Sequence, residues 1–533
     1  MELINLDLEN DKINQAIQQS GDIARLAKGA GISASGKMIG RGLNFLGQAI
    51  LARLLGPEAF GLYAIGWTVL RIIGIIGPAG LDSGVIRFGA KYWREDQDNF
   101  RKIILLSTGV ALLSGLMIGA GLYLAAPFLS VAIFRKPGLE YVLHGFAFAI
   151  PAVTALRVVS SATTVSQRLK YATYSEEISQ PAIEFILFIT FFYLVGWKLE
   201  GAVLAGVLSF VFALALATYY MFRLFPGLLV GRTNQIFSRR SIPLQLELIR
   251  FSIPTAFAAL FGSFISWADR LLVGYFRSEA ETGIYTTISL ISIVFIIILS
   301  GIKVIYSPMI ADFFHKKEMK RVEEIYRIST KWGLYISIPI FFVILFTSRE
   351  LLTIAFSSEY VSGALPLIFL ALSQLINIGT GPMDILLIMT NRQKTWLVIS
   401  GIMLVANIFI NSILIPSFGL IGAAIGTAST VIGICIIGLV IIKRDLNVWP
   451  YDHRFLKILI SAVVTAGVLF GINSLYITPS IVRLIIVGIT AFSVFGAGLL
   501  ILGLDSEDKE LIILVKKKLI TLTQEKSNNN NPE

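Results

Sequence analysis

The chain has 533 residues, of which 55% are hydrophobic and 15% charged, against roughly a quarter charged in a soluble protein. No soluble core absorbs that much apolar surface, so two or three soluble domains are excluded and a polytopic membrane protein is expected. The net charge of +11, from 45 basic and 34 acidic residues, points in such a chain to cytoplasmic loops before it points to nucleic acid.

Residues 1–28 form a polar tail of mixed charge, with Leu3, Leu6, Ile13, Ile17, Ile23 and Leu26 outlining one face of a short surface helix. No basic start followed by an apolar run is present, so this is not a signal peptide. Fourteen stretches then reach the roughly 20 apolar residues that a membrane crossing needs. They lie near 30–52, 63–81, 103–134, 142–165, 178–197, 200–222, 251–270, 283–303, 331–348, 362–389, 395–415, 419–442, 457–475 and 481–503. Span 3 is long and contains Pro127, a natural place for a break. The expected fold is all-α. A first six-helix lobe covers 29–222, a cytoplasmic linker 223–250, a second six-helix lobe 251–442, and helices 13 and 14 fall in 443–505. Residues 506–533 form a cytoplasmic tail whose end, Lys526–Glu533, is polar and of low complexity.

Loop charges test this layout. With a cytoplasmic N-terminus, 33 of the 45 basic residues fall in inner segments and 7 in outer loops. The remaining five, Lys37, Arg41, Arg71, Arg157 and Arg483, lie inside spans. The asymmetry follows the positive-inside rule and places both termini in the cytoplasm of a cell-membrane protein.

The two halves echo each other. Arg53-Leu54-Leu55 followed by Gly61-Leu62-Tyr63 matches Arg270-Leu271-Leu272 followed by Gly283-Ile284-Tyr285. Gln167-Arg168-Leu169-Lys170 matches Asn391-Arg392-Gln393-Lys394, and Leu199-Glu200-Gly201-Ala202 matches Leu420-Ile421-Gly422-Ala423. The offsets are 217, 224 and 221. A repeat of six helices restores orientation, so the lobes form a parallel repeat about the membrane normal, as in transporters with a substrate site between halves. Helices 13 and 14 fall outside it.

Intramembrane polar residues mark candidate sites. Ser33, Lys37, Arg41, Asn44 and Gln48 form a polar stripe on span 1, and Arg71 sits near the middle of span 2. Spans 1 and 2 hold no carboxylate at that depth, so Lys37, Arg41 and Arg71 read as a cationic patch for an anion, phosphate above all. Pairing with carboxylates of neighbouring helices is the alternative. Asp82 lies at the inner end of span 2. Arg157 on span 4 and Glu184 on span 5 share a depth, and an ion pair between them is the simplest account, with gating or proton movement the alternative. In the second half, Asp269-Arg270 closes span 7, Asn407 and Asn411 are an i, i+4 pair on span 11, and Gln374, Asn377 and Asp384 share a face of span 10. These oxygens suit Na⁺ or a proton, or serve as amide hydrogen bonds between helices.

Other chemistries are not supported. Gly31-Ile-Ser-Ala-Ser-Gly36-Lys37-Met38 imitates a phosphate loop but has Met in place of the hydroxyl and no preceding strand. No cofactor is expected beyond a coupling Na⁺ or H⁺. Cys435 stands alone, and His144, His315 and His453 are dispersed, so neither a disulfide framework nor a metal centre is expected. Hydrolase and metalloprotease signatures are absent, and the short outer loops leave no room for a catalytic domain.

Arg53-Leu-Leu-Gly-Pro-Glu-Ala-Phe-Gly-Leu-Tyr63 resembles the first-loop signature of polysaccharide-transport flippases, within the multidrug/oligosaccharidyl-lipid/polysaccharide exporter superfamily. Gly80-Leu-Asp-Ser-Gly-Val-Ile-Arg-Phe88 and Ala268-Asp-Arg-Leu-Leu-Val-Gly-Tyr275 fit the same family, and the likeness covers spans 1–12. The resemblance implies two lobes working by alternating access on a polyprenyl phosphate- or pyrophosphate-linked oligosaccharide, moved from the cytoplasmic to the outer leaflet for cell-surface polysaccharide assembly. Lys37, Arg41, Asn44, Gln48, Arg71 and Arg157 would bind the substrate. Glu184, Asp269, Arg270, Asp384, Asn407 and Asn411 would couple or gate. In the related lipid II flippases an acidic residue on span 7 and polar residues on spans 11 and 12 bind Na⁺. Asp269, Asn407 and Asn411 fall at similar places, with Asn411 standing where that branch has an acid. A polysaccharide polymerase or glycosyltransferases are the partners implied. A multidrug exporter of the same superfamily and a glycan-assembly membrane enzyme are the alternatives; the first-lobe cations disfavour the former and the short loops the latter.

Overall fold

The structure, a computed structural model, describes residues 2–166, 168–228, 242–473, 480–505 and 507–509. Gln167, residues 229–241 of the inter-lobe linker, the side chain of Ser33, the side chains of the apolar face of the N-terminal tail, and nearly all of the C-terminal tail lie outside the described residues. Among these residues the chain is helical with no strand, the form in which a backbone satisfies its own polar groups in lipid. The helices are α1 (Glu2–Ile76), α2 (Leu81–Tyr92), α3 (Gln97–Pro127), α4 (Gly138–Thr164), α5 (Lys170–Ala172), α6 (Gln180–Thr190), α7 (Leu199–Leu224), α8 (Ile242–Phe276), α9 (Glu279–His315), α10 (Met319–Ala355), α11 (Ala364–Gly379), α12 (Met383–Met389), α13 (Gln393–Leu446), α14 (Arg454–Asn473) and α15 (Ser480–Ile501).

Among the described residues, eleven helical stretches are long and apolar enough to cross a membrane. Two of them, α1 and α13, are kinked where Gly56 (φ 76°) and Gly419 (φ 59°) leave helical geometry, a conformation glycine adopts without steric cost. Each kink divides its helix into two spans, and α8 supplies another, consistent with fourteen crossings. Large apolar side chains point outward along these helices, among them Leu113, Met117, Leu124 and Leu194, as lipid-facing surfaces require. Span 3 does change at Pro127, where α3 gives way to a π-helical turn, Phe128–Ile133. Span 5 is more irregular: π-helical segments Thr173–Ser179 and Phe191–Val195 flank α6. Span 10 is broken between α11 and α12, where Gly381 takes φ 73°. Asn377 and Asp384 therefore sit on different helices and do not share the single face expected of them.

The chain forms two compact units. The first holds Met1–Leu290, Ala355–Ser362 and Ser400–Gly426; the second holds Ile291–Ile354, Gly363–Ile399 and Thr427–Glu533. In the first, α4 is the central helix, with Leu139, Val142, Phe146, Ile150, Val153 and Leu156 buried against α1, α3 and α7. Small residues allow the close approach: a Cβ on Gly119 would lie 2.7 Å from the Ala147 carbonyl oxygen.

At the end of this unit carrying the Gly56 kink, the repeat becomes physical contact. Gly61 and Gly283, matched by sequence, sit at one backbone crossing. A Cβ on Gly61 would lie 1.9 Å from the Glu279 carbonyl oxygen, and one on Gly283 2.1 Å from that of Pro57. The same end holds two further ties. Tyr360 donates to the Ala52 carbonyl at 2.7 Å, and the Lys136 ammonium donates to the Arg277 carbonyl at 2.6 Å.

The second unit carries an ion cluster. Lys331 is 1% exposed and lies 3.1, 3.7 and 3.0 Å from Asp505, Glu507 and Asp508. Trp332 and Tyr335 donate to Asp508, and Arg454 ties Glu507 to Glu324. This cluster fastens the segment after α15 to the start of span 9.

Candidate functional site

In the first unit, Gly36 and Gly40 bring span 1 against the π-helical segment of span 5. A Cβ on Gly40 would lie 2.2 Å from the Glu177 carbonyl oxygen. The polar stripe lies beside this glycine face and divides along its length. Lys37 and Arg41 are exposed, Asn44 is half-buried and Gln48 is buried. Asn44 and Gln48 close over Glu184 in a small cavity also lined by Leu51, Pro181 and Phe185. It leaves about 10 Å³ for the centre of a water molecule, close to the least that one water needs.

Tyr63, Trp67 and Arg71 follow at i, i+4 and i+8 along α1 and so share one face. The Arg71 guanidinium lies 5.0 Å from the Trp67 ring centre and 5.8 Å from that of Phe210, a cation–π arrangement. Lys37 and Arg71 form no ion pair among the described residues. Tyr63, fully buried, donates to Glu184 Oε1 at 2.5 Å. Gln180, one turn before Glu184, donates to Oε2 at 2.9 Å and also to Ser209. Glu184 itself is 5% exposed.

The expected ion pair between Arg157 and Glu184 is not formed. Arg157 turns to Asp82, at 3.7 Å, and to the Gly74 carbonyl, at 3.3 Å. Equal depth does not fix which way a side chain points around its helix. Nor is the patch purely cationic, as spans 1 and 2 alone implied. Span 5 brings Glu184 within electrostatic range of Arg71, and Glu176 within range of Arg157, Arg71 and Asp82. Gln180 and Glu176 are absent from the sequence reading, and Tyr63 enters it only through the repeat and the first-loop motif. Glu176 falls just before the apolar run of span 5, and the π-helical segment extends the helix to include it. For Gln180 the i, i+4 spacing to Glu184 was the available signal.

A second polar knot forms in the same unit. Asp269 accepts from Asn411 Nδ2 at 3.1 Å and from Tyr285 at 3.4 Å. Asp269, Asn407 and Asn411 are all buried, and a Cβ on Gly426 would lie 2.2 Å from Asn411 Oδ1. Of the three residues grouped by sequence, Asn411 donates directly to Asp269, and Asn407 lies one turn before Asn411 on α13. Arg270 lies within electrostatic range of Asp269 and Tyr285. Arg277 instead forms a bidentate pair with Glu281. In the second unit Asp384 is not a free acid: Lys303 holds it at 2.6 Å. Sequence reading passed over Lys303 because it closes span 8 and counts as a loop cation. No cluster of three or more His, Cys, Asp or Glu residues suits a metal among the described residues.

With this geometry in view, the relatives are informative. A family model for polysaccharide biosynthesis proteins matches residues 26–314, and one for MatE matches residues 254–413. The chain is 24% identical over 453 residues to the probable low-salt glycan biosynthesis flippase Agl15 of Haloferax volcanii, covering 84% of this chain and 90% of that one. It is 23% identical over 243 residues to the capsular polysaccharide biosynthesis protein CapF of Staphylococcus aureus, covering 45% of this chain and 60% of that one. Among solved structures, the lipid II flippase MurJ in an inward closed conformation superposes with a TM-score of 0.67 at 14% identity, covering 87% of this chain and 98% of that one. An inward-facing multidrug resistance MATE transporter gives 0.63 at 17% identity, covering 78% and 98%. The fold is that of these transporters, and by its match over more than half its length the chain belongs to the polysaccharide biosynthesis protein family.

Proposed function

We propose that this protein is a flippase that carries a polyprenyl phosphate- or pyrophosphate-linked oligosaccharide from the cytoplasmic to the outer leaflet by alternating access. The observation that carries this reading is Arg71. It is a half-buried guanidinium inside a span, faced by the rings of Trp67 and Phe210 and without an ion pair among the described residues. A cation so placed is costly unless it meets an anion or water, and a lipid phosphate fits the planar fork of its donors. Lys37 and Arg41, exposed on span 1, extend the same positive surface. Arg157, tied to Asp82, borders it as a positioning residue, and Asn44 and Gln48 offer hydrogen bonds to sugar or phosphate.

The family match and the glycan flippase of Haloferax volcanii support the substrate class, and the MatE match is compatible with cation coupling. In this reading Asp269 acts in gating. Its oxygens are taken by Asn411 and Tyr285, and neighbouring Arg270 disfavours a bound Na⁺. The K37A/R41A/R71A triple variant tests the proposal. Cell-surface glycan export is expected to be lost while the protein still inserts in the membrane. Wild-type export by that variant would refute the phosphate site.

A further inference from the structure

Glu184 stands out in the first unit. It is a buried carboxylate inside a span with no ion pair among the described residues, and its oxygens are held by Tyr63 and Gln180. Two influences favour its ionised form: the two donors, and the positive charge of Arg71 within electrostatic range. One opposes it, the loss of water around the carboxylate. The other groups facing it are uncharged: Ser209 through Gln180, and Asn44 and Gln48 across the small cavity. Among the described residues, Arg71 is the charged group within range of Glu184. Glu176, also in range of Arg71, shares its field with Arg157.

We propose that Glu184 is a proton-binding site linked to the phosphate site at Arg71, so that loading an anionic lipid phosphate adds one proton to Glu184 and unloading returns it to water. This rests on the phosphate reading of Arg71. A phosphate at Arg71 offsets the positive charge that favours the ionised carboxylate. Burial then prevails, and a carboxylate oxygen takes a proton from water through the cavity beside Gln48. Linkage is reciprocal, so a protonated Glu184 leaves Arg71 uncompensated and strengthens its hold on phosphate. The first unit thereby stays close to one net charge whether empty or loaded. The matched position of the second half, Asn407, 223 residues further on, carries an amide that takes no proton in this range.

The test uses the full chain in lipid nanodiscs with a short-chain polyprenyl phosphoryl-hexose as ligand. This phosphodiester does not itself titrate near neutral pH. Calorimetry in buffers of different ionisation enthalpy counts protons taken up per ligand bound, between roughly pH 5 and 9. Wild-type protein is expected to take up as much as one proton, with affinity falling by up to about tenfold per pH unit as pH rises through the linked range. E184Q is expected to bind without that uptake and with a flat pH profile. Y63F removes a donor that favours the ionised form, so its fall in affinity is expected at higher pH. Binding by wild type without proton uptake, or equal uptake in E184Q, overturns the proposal. An unshifted Y63F profile overturns it even if E184Q fails to fold. Absence of any binding by wild type overturns the phosphate site itself, and with it this linkage.

Discussion

Replacing Gly283 with alanine is expected to loosen the crossing of α1 and α9 that closes one end of the first unit. The added Cβ would lie 2.1 Å from the Pro57 carbonyl oxygen, where ordinary contact begins at 3.4 Å. The neighbour is backbone, so relief requires the helices to part by about an ångström. Overpacking of this kind costs about 1–3 kcal/mol, on the order of 5- to 150-fold in the population of the closed arrangement. Two hydrogen bonds oppose the parting, Tyr360 to Ala52 and Lys136 to Arg277. Together they contribute roughly 2–4 kcal/mol. The alanine therefore brings closed and open arrangements near balance and leaves the fold intact. Spin labels at the exposed positions Glu58 and Ser278 report the separation by double electron–electron resonance. The lone native thiol, Cys435, is buried. A single short distance is expected in the parent and a second, longer population in G283A. G301A on the same helix, where a Cβ meets nothing within 4 Å, is the control for helix propensity. An unchanged distance distribution together with unchanged transport in G283A would refute the reasoning.

Two further outcomes are expected in the second unit. K331M leaves Asp505, Glu507 and Asp508 around an uncharged side chain, a loss of about 3–5 kcal/mol for a broken buried pair. Thermal unfolding followed by Trp332 emission, read against W332F, should begin at lower temperature, and an unchanged Tm would count against the cluster as an anchor. Acid should act on the same anchor. Burial pushes the Asp505 carboxyl up, but hydrogen bonds from Lys457 and Lys331 and their charges outweigh it and hold it below its ordinary 3.8. A group depressed on folding contributes stability above its unfolded value and loses it as pH falls through the folded one. Unfolding in acid should thus steepen only below about pH 4, and D505N should remove part of that slope.

Much of this architecture was legible because lipid imposes a strong rule on sequence. The apolar stretches, the break at Pro127 and the matched Gly61 and Gly283 could all be read from composition and spacing. Contacts between helices were less legible, because depth in the membrane says nothing about direction around a helix axis. Arg157 and Glu184 share a depth, yet one faces Asp82 and the other Tyr63. Local irregularity hid the rest. The π-helical segment before α6 shifts the register of span 5 and draws Glu176 toward Arg71, and Gly381 divides a span whose hydropathy is continuous. Such departures from ideal helix commonly occur where a site is being shaped.

The repeat shows what duplication fixed and what it left free. Tyr63 and Tyr285 occupy matched positions beside matched glycines, and both donate to a buried carboxylate. The acceptors come from different places in the two halves: Glu184 from span 5, and Asp269 from span 7, the first helix of its own half. Asp269 is held by an amide with Arg270 in range, whereas Glu184 borders a water-sized cavity and the polar stripe of span 1. The glycine crossing needs both halves to keep small residues at the same place, since either Cβ would strike the other backbone. The carboxylates carry no such mutual constraint, so the two halves hold them in different surroundings. Symmetry in this protein therefore belongs to the glycine crossing. The asymmetry lies in the acid that each tyrosine faces, Glu184 beside a water-sized cavity and Asp269 beside an amide and Arg270.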